Sequence, residues 1–277
     1  MKDTEIFDYG FHLRDRQLGM NVIVNGINVY TSFNADLIDE PEITPAALTP
    51  DLFKKIGKSS HIINKYTVGN NGLKLSFYIG GETYQEAQMN CNNLVAEFQN
   101  DIVTLKIGDT DFEYVGTVSG VSIKYTSVDH FYKLTLTFTG VKRLPLVTLE
   151  FTDEEKIKSL IEFWNSGAAS SGLKITFRVW GHESGVYIDV NCNDNEFQIS
   201  NVAGTPMYYI IDGIDGKLVR GWTKEYYEEA YTNVFERTNN FYEFPTVNRG
   251  LNKLKLSIPS VYEVDWLKIE YYPVFLI

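Results

Sequence analysis

The 277-residue sequence predicts a mainly β protein with two short-to-medium helices. Three observations carry that expectation. Apolar and polar residues alternate with a period of two in many short runs, which turns one set of side chains to a core and the other outward. Clusters of Gly, Asn and Asp separate the runs and mark turns. Aromatic residues make up 14% of the chain, with 18 Tyr and 17 Phe, a bias that suits half-buried strands and interfaces better than helical bundles.

Along the chain, Asp39 to Asp51 (DEPEITPAALTPD) holds three prolines and no periodicity, so an extended loop or arm is expected there. Leu73, Leu75, Phe77 and Ile79 alternate with Lys74, Ser76 and Tyr78 and predict a strand. The stretch TYQEAQMNCNNLVAEFQ then has Thr83 and Glu86 at capping-box spacing. Its Tyr84, Ala87, Cys91, Leu94 and Phe98 share one helical face, which predicts a helix laid on a sheet. Tyr132, Leu134, Leu136 and Phe138 return to the strand period.

A change of character at Lys142-Arg143-Leu144-Pro145 divides the chain into expected domains at 1–145 and 146–277. Just beyond it, FTDEEKIKSLIEFWNSG repeats the capping-box spacing with Thr152 and Glu155. Ile157, Leu160, Ile161 and Trp164 form a helical stripe, and Gly167 is placed to end the helix. Leu173, Ile175, Phe177 and Val179, then VYIDV, MYYII, KLKLS and WLKIEYY, read as the strands of a sandwich or barrel.

Charge and motifs narrow the function. Lys plus Arg number 25 against 36 Asp plus Glu, and the resulting −11 repels nucleic acid phosphates and anionic lipid. Direct nucleic acid specificity is not expected. The apolar runs fall far short of the ~20 residues of a membrane span, and MKDTEIFDYG lacks an apolar h-region, so cytoplasmic synthesis without membrane insertion is expected. Cys91 and Cys192 read as core thiols.

Gly57-Lys58-Ser59 ends like a phosphate loop, but the required earlier glycine is Leu52. Asp189, Asn191 and Asn193 alternate like calcium ligands, but Asp194 and Ser200 stand where a glycine and a bidentate acid belong, and a polar hairpin turn is expected instead. His12, His61, His130 and His182 show no ligand spacing, and no GxSxG elbow is present. No catalytic, cofactor-binding or metal-binding residue is therefore assigned, and an enzyme is not expected. Trp180, His182, Trp222, Tyr226 and Tyr227 offer an aromatic surface for a glycan, so a carbohydrate-binding adhesion module of a cell-surface or tail-fibre type is the alternative.

FPTVNRGLNKLKLS, Phe244 to Ser257, poses a separate choice between a ligand-binding tip and a turn feeding a strand; the glycine and asparagines ahead of strict alternation favour the turn. Followed by VDWLKIEYYPVFL, this stretch resembles the ending of siphophage distal tail proteins (Dit), where a phrase F-P-x-L-x-x-G-x-N-x-I precedes the last strands of a galectin-like sandwich. Phe244, Pro245, Gly250, Asn252 and Leu254 match it, while Arg249 replaces a usual proline and Val247 the leucine. NVAGTPMYYIIDG (Asn201 to Gly213), GLKLSFYIGGETYQEAQMNCNNLVAEF and Tyr114-Val115-Gly116 resemble further family segments in the same order.

The resemblance implies an N-terminal ring (belt) domain and a C-terminal galectin-like β-sandwich. It implies a virion structural protein at the tail tip, six copies of which close into a ring that serves host adsorption by assembly. The implied partners are the tail tube protein, the tail-associated hub protein, and receptor-binding or baseplate proteins. A closed ring requires two different patches of each subunit to meet.

Overall fold

The computed structural model describes residues 20–45, 48–53, 62–68, 71–126, 131–181, 187–193, 195–199, 205–221, 228–229, 235–236 and 244–275. The chain forms two compact units, one running to Leu144 and taking in Phe275, the other Pro145–Val274.

The first unit opens with a hairpin of β1 (Val22–Val24) and β2 (Ile27–Asn28). Asn25 and Gly26 form its turn at positive φ, the Asn-Gly pairing that tight hairpins select. The Asn25 side chain donates to the Glu97 carbonyl at 2.9 Å and accepts from the Thr104 N–H at 3.0 Å, which fixes the hairpin in place. A short helix α1 (Val29–Phe33), capped by Asn28, leads to β3 (Ala35–Leu37) and β4 (Glu42–Thr44). A separate hairpin pairs β5 (Leu48–Phe53) with β6 (Ile62–Val68). Then come β7 (Asn71–Ile79), helix α2 (Tyr84–Glu97), β8 (Val103–Ile107), β9 (Glu113–Thr126) and β10 (Phe131–Arg143).

The main sheet of this unit runs β2-β1-β8-β9-β10-β7-β3, with β4 also on β7. Leu73, Leu75, Phe77 and Ile79 of β7 and Leu134, Leu136 and Phe138 of β10 are buried on one face, as the alternation predicts. Helix α2 covers that face with Ala87, Cys91, Leu94 and Phe98. The Thr83 hydroxyl accepts the Glu86 N–H at 3.2 Å, the predicted cap, while the Glu86 carboxylate accepts the Glu82 N–H. Phe275 also belongs to this unit: its carbonyl accepts the Asn71 amide at 3.2 Å, and its ring meets Phe112 edge-on at 5.2 Å.

The second unit is a two-sheet sandwich. Its elements are β11 (Val147–Phe151), α3 (Glu154–Lys158), β12 (Leu160–Asn165), β13 (Ser171–Gly181), β14 (Ile188–Cys192), β15 (Asn195–Ile199), β16 (Met207–Asp212), β17 (Lys217–Gly221), β18 (Glu228–Glu229), β19 (Phe235–Glu236), β20 (Thr246–Val247), β21 (Gly250–Ser257) and β22 (Tyr262–Tyr271), and β23 (Val274–Phe275) follows. One sheet orders β11-β22-β13-β16-β17-β18 with β20 on β13, and the other β12-β21-β14-β15-β19; β23 pairs with β10. A single apolar core lies between the two sheets, with Leu173, Ile175, Phe177 and Tyr209 from one and Phe163, Val190, Leu254 and Leu256 from the other. A bulge at Asp265 shifts the register of β22, so Tyr262 and Val264 before it and Leu267, Ile269 and Tyr271 after it all reach the core.

Four expectations need correction. The stripe of Ile157, Leu160, Ile161 and Trp164 is not one helix: α3 ends at Lys158, and residues 160–165 pair along β21 as β12. The Ser159 side chain binds the Lys156 carbonyl at 2.7 Å, and its extended backbone closes the helix before the stripe is complete. The cap is Asp153, which accepts from the N–H groups of Glu155 and Lys156, and Thr152 is not the cap. The proline-rich segment expected as an extended loop or arm is in good part strand, because β4 pairs with β7 and Pro50 lies within β5, which among the described residues pairs with β6 alone. The described residues hold three helices, since α1 was not anticipated.

Candidate functional site

The feature that stands out in the first unit is the far half of β9. Strand β8 pairs with β9 only at Tyr114 to Gly116. From Thr117 to Thr126, among the described residues, β9 pairs with β10 alone and leaves its outer edge without a strand. An edge of this kind presents a row of N–H and C=O groups ready to pair with another chain. A bulge at Ser119 also changes which side chains face the core, so Val121, Ile123 and Tyr125 line up with Leu136, Leu134 and Tyr132 of β10.

Those three residues continue the apolar row of β7 and β10, but α2 does not reach far enough to cover them. Val121 is 45% exposed, Ile123 46% and Tyr125 42%. Tyr84, at the start of α2, was expected on the helix's core face and instead borders this strip. Its ring centroid lies 5.0 Å from Tyr125, and Tyr125 lies 5.0 Å from the buried Tyr132. The opposite face of the same strands is polar, with Lys124 directly across from Lys133 and Ser122 across from Thr135. An apolar, tyrosine-edged face and an open backbone edge thus coincide on one strand. Tyrosine is enriched in association surfaces, whose buried centres are more apolar than the rest of the protein surface. Completing the burial of four half-exposed side chains of this kind is worth roughly 3–6 kcal/mol.

A concavity in this unit, about 630 Å³, is lined by Pro41, Ile43, Asp109, Phe112, Tyr114 and Lys142 among others. The Lys142 ammonium rests over the Phe112 ring at 4.3 Å. Among the described residues no cluster of His, Cys, Asp and Glu is arranged to hold a metal ion.

The residues singled out by sequence are placed as follows. Phe244 to Ser257 form a structural junction. Asn252 is fully buried; its side-chain oxygen accepts the Asn248 N–H at 2.7 Å and the Asn193 amide at 3.0 Å, and its amide donates to the carbonyls of Asn248 and Gly250. Asn193, one of the calcium-like positions, takes the left-handed conformation in the turn after β14 and accepts the Lys253 N–H. Asp189 is engaged by Gln198 at 2.9 Å. Trp180 is half-buried on β13, with the Arg178 guanidinium 5.5 Å from its ring. His182, Trp222, Tyr226 and Tyr227, the other histidines, Gly57 to Ser59, Asp194 and Ser200 lie outside the described residues. Sequence reading missed the β9 strip because Val121 and Ile123 look like any core strand until the reach of α2 is known.

No protein-family model and no curated protein matches the chain. Among solved structures, it is similar to the SPP1 Dit (gp 19.1) protein, described as a paradigm of the hub adsorption apparatus in phages infecting Gram-positive bacteria. The similarity covers 93% of this chain and 99% of that one, with a TM-score of 0.63 and 14% identity. The chain has the Dit fold. The phage p2 baseplate in its activated conformation with Ca is also similar, over 92% of this chain and 98% of that one, with a TM-score of 0.46 and 10% identity. Likeness to Dit extends over both units and agrees with the ordered resemblance of the sequence segments, from the strand, turn and helix of 72–98 to the closing strands.

Proposed function

We propose that this protein is a structural, non-enzymatic hub of a phage tail tip, in which six copies close into a ring through the far half of β9. The open edge and apolar strip of that strand carry the reading. The overall likeness to SPP1 Dit and the order of the matching sequence segments support it. In this reading residues 1–145 form the belt of the ring and residues 146–277 a galectin-like sandwich that holds receptor-binding or baseplate proteins. The tail tube protein stacks on one side of the ring and the tail-associated hub protein on the other. A neighbour meets β9 with a different patch, as a closing head-to-tail ring requires.

Mass photometry and negative-stain imaging of the purified full chain test this. Closed six-fold rings, single or stacked back to back, are the expected result for the native sequence. Ile123→Asp places a carboxylate on the strip and is expected to give monomers with unchanged near-UV circular dichroism. A native chain that stays monomeric at every concentration, or an Ile123→Asp variant that still forms rings, refutes the proposal.

A further inference from the structure

The second unit carries an exposed tryptophan that is not part of the β9 strip. Trp164 lies on β12, the edge strand of the five-stranded sheet, and is 68% exposed. It stands opposite Leu251 on β21, itself exposed, on the outer face of the sandwich. Gly250 lies alongside the ring: a Cβ there would sit 3.7 Å from Trp164 Cη2, so the glycine leaves that side of the indole clear of any side chain of its own. The Trp164 backbone is held from the core side, its carbonyl accepting the Tyr271 hydroxyl at 2.9 Å.

One step along the strands, about 7 Å away, Glu162 stands opposite Lys253 with their charged atoms 3.3 Å apart. Both side chains are about half exposed, and Lys255 follows on the same face.

We propose that Trp164 and the Glu162–Lys253 pair form a saccharide-binding platform. The C–H face of a pyranose carries partial positive charge and stacks on the electron-rich indole face. The neighbouring carboxylate and ammonium then accept from and donate to the sugar hydroxyls with charge-assisted hydrogen bonds. Patch size separates this occupant from a protein. A tryptophan and a leucine present on the order of 250 Å² of apolar surface, about a third of what each partner commits to a stable protein interface. The ion pair interrupts that surface before it reaches Leu160, so no dry apolar centre is available. A single sugar ring beside two charged groups fits what remains. This site is distinct from the β9 strip, so hub assembly and saccharide binding stand or fall separately.

The test is a glycan array carrying oligomers of glucose, galactose, rhamnose and N-acetylglucosamine together with bacterial cell-wall polysaccharides, probed with the full chain. Titration of the tightest binder, followed by intrinsic fluorescence, supplies the affinity. Binding is expected, with a loss of about tenfold or more in Trp164→Ala and in Glu162→Ala, and with Trp164→Tyr retaining most of it. Melting temperatures should match the native protein, because all three changes are on an exposed face. Absence of binding to every glycan on the array overturns the proposal, as does binding that Trp164→Ala leaves unchanged. A Trp164→Ala variant that alters oligomeric state while the native chain binds no sugar assigns the patch to a protein contact and equally overturns it.

Discussion

At the scale of single residues, the second unit is held at one corner by amides. Asn252 satisfies donors and acceptors from Asn248, Asn193 and Gly250 at once, in a fully buried position. Asn165 adds its amide to the Asn248 carbonyl at 3.2 Å and accepts the Gly167 N–H at 2.9 Å. Asn252→Ala strands the Asn248 N–H and the Asn193 amide, and should destabilise the unit by about 2–4 kcal/mol in urea denaturation. Asn252→Asp should not rescue it, since a carboxylate cannot donate to the two carbonyls. The sequence showed that a glycine and two asparagines precede an alternating strand, and the turn reading holds. It did not show Asn165 and Asn193 as partners, because one comes from the end of β12 and the other from the turn after β14, both far away in sequence.

Burial acts on the thiols at the same scale. It pushes the Cys192 thiol up to about 12 and raises Cys91 as well. A raised folded-state value means that the folded thiol stays protonated after its unfolded counterpart, near 9, has ionised. The stabilising contribution is present in full below pH 9 and is lost as pH rises from 9 towards 12. Stability should therefore fall above pH 9, by at most about 1.4 kcal/mol per pH unit for each such thiol. Urea denaturation at pH 8 and pH 10 should show this slope, and Cys192→Ala should reduce it.

At the scale of elements, the segment after Asp153 shows what a local pattern leaves undecided. LIEFWN places Ile161 two residues before Phe163, and it also places Leu160, Ile161 and Trp164 at helical spacing. Both periods fit; the pairing with β21, which no local rule contains, selects the strand and turns Trp164 outward. Adjacent substitutions distinguish the two. Phe163→Ala should cost about 3–5 kcal/mol, whereas Trp164→Ala should change stability by no more than about 0.5 kcal/mol. A helix with Trp164 in its core stripe would reverse that order. Longer elements with one strong period, β7, α2, β10 and β13, were legible throughout. The bulges of β9 and β22 were not, since a bulge exists only relative to a partner strand.

At the scale of the whole molecule, there are two apolar cores with no residue in common. Calorimetry should resolve two unfolding transitions. Leu134→Ala should lower one and Ile175→Ala the other, each by about 2–5 kcal/mol of stability, and a single transition moved by both would contradict independent cores. Mainly β architecture was legible because alternation and turn clusters recur along the chain. Strand order was not, since β12 finds β21 and β11 finds β22 across most of the second unit. The β9 edge was invisible for the same reason, being defined by a strand that stops short.

Phe275 belongs to the first unit, although everything from Pro145 to Val274 belongs to the second. In sequence the second unit is thus an insertion, since the chain leaves the first unit after Leu144 and re-enters it at Phe275. An insertion of this kind can be exchanged for another folded module without changing the order of β1 to β10. Such a junction lets the inserted unit change in sequence and size while the strand order of the other stays as it is.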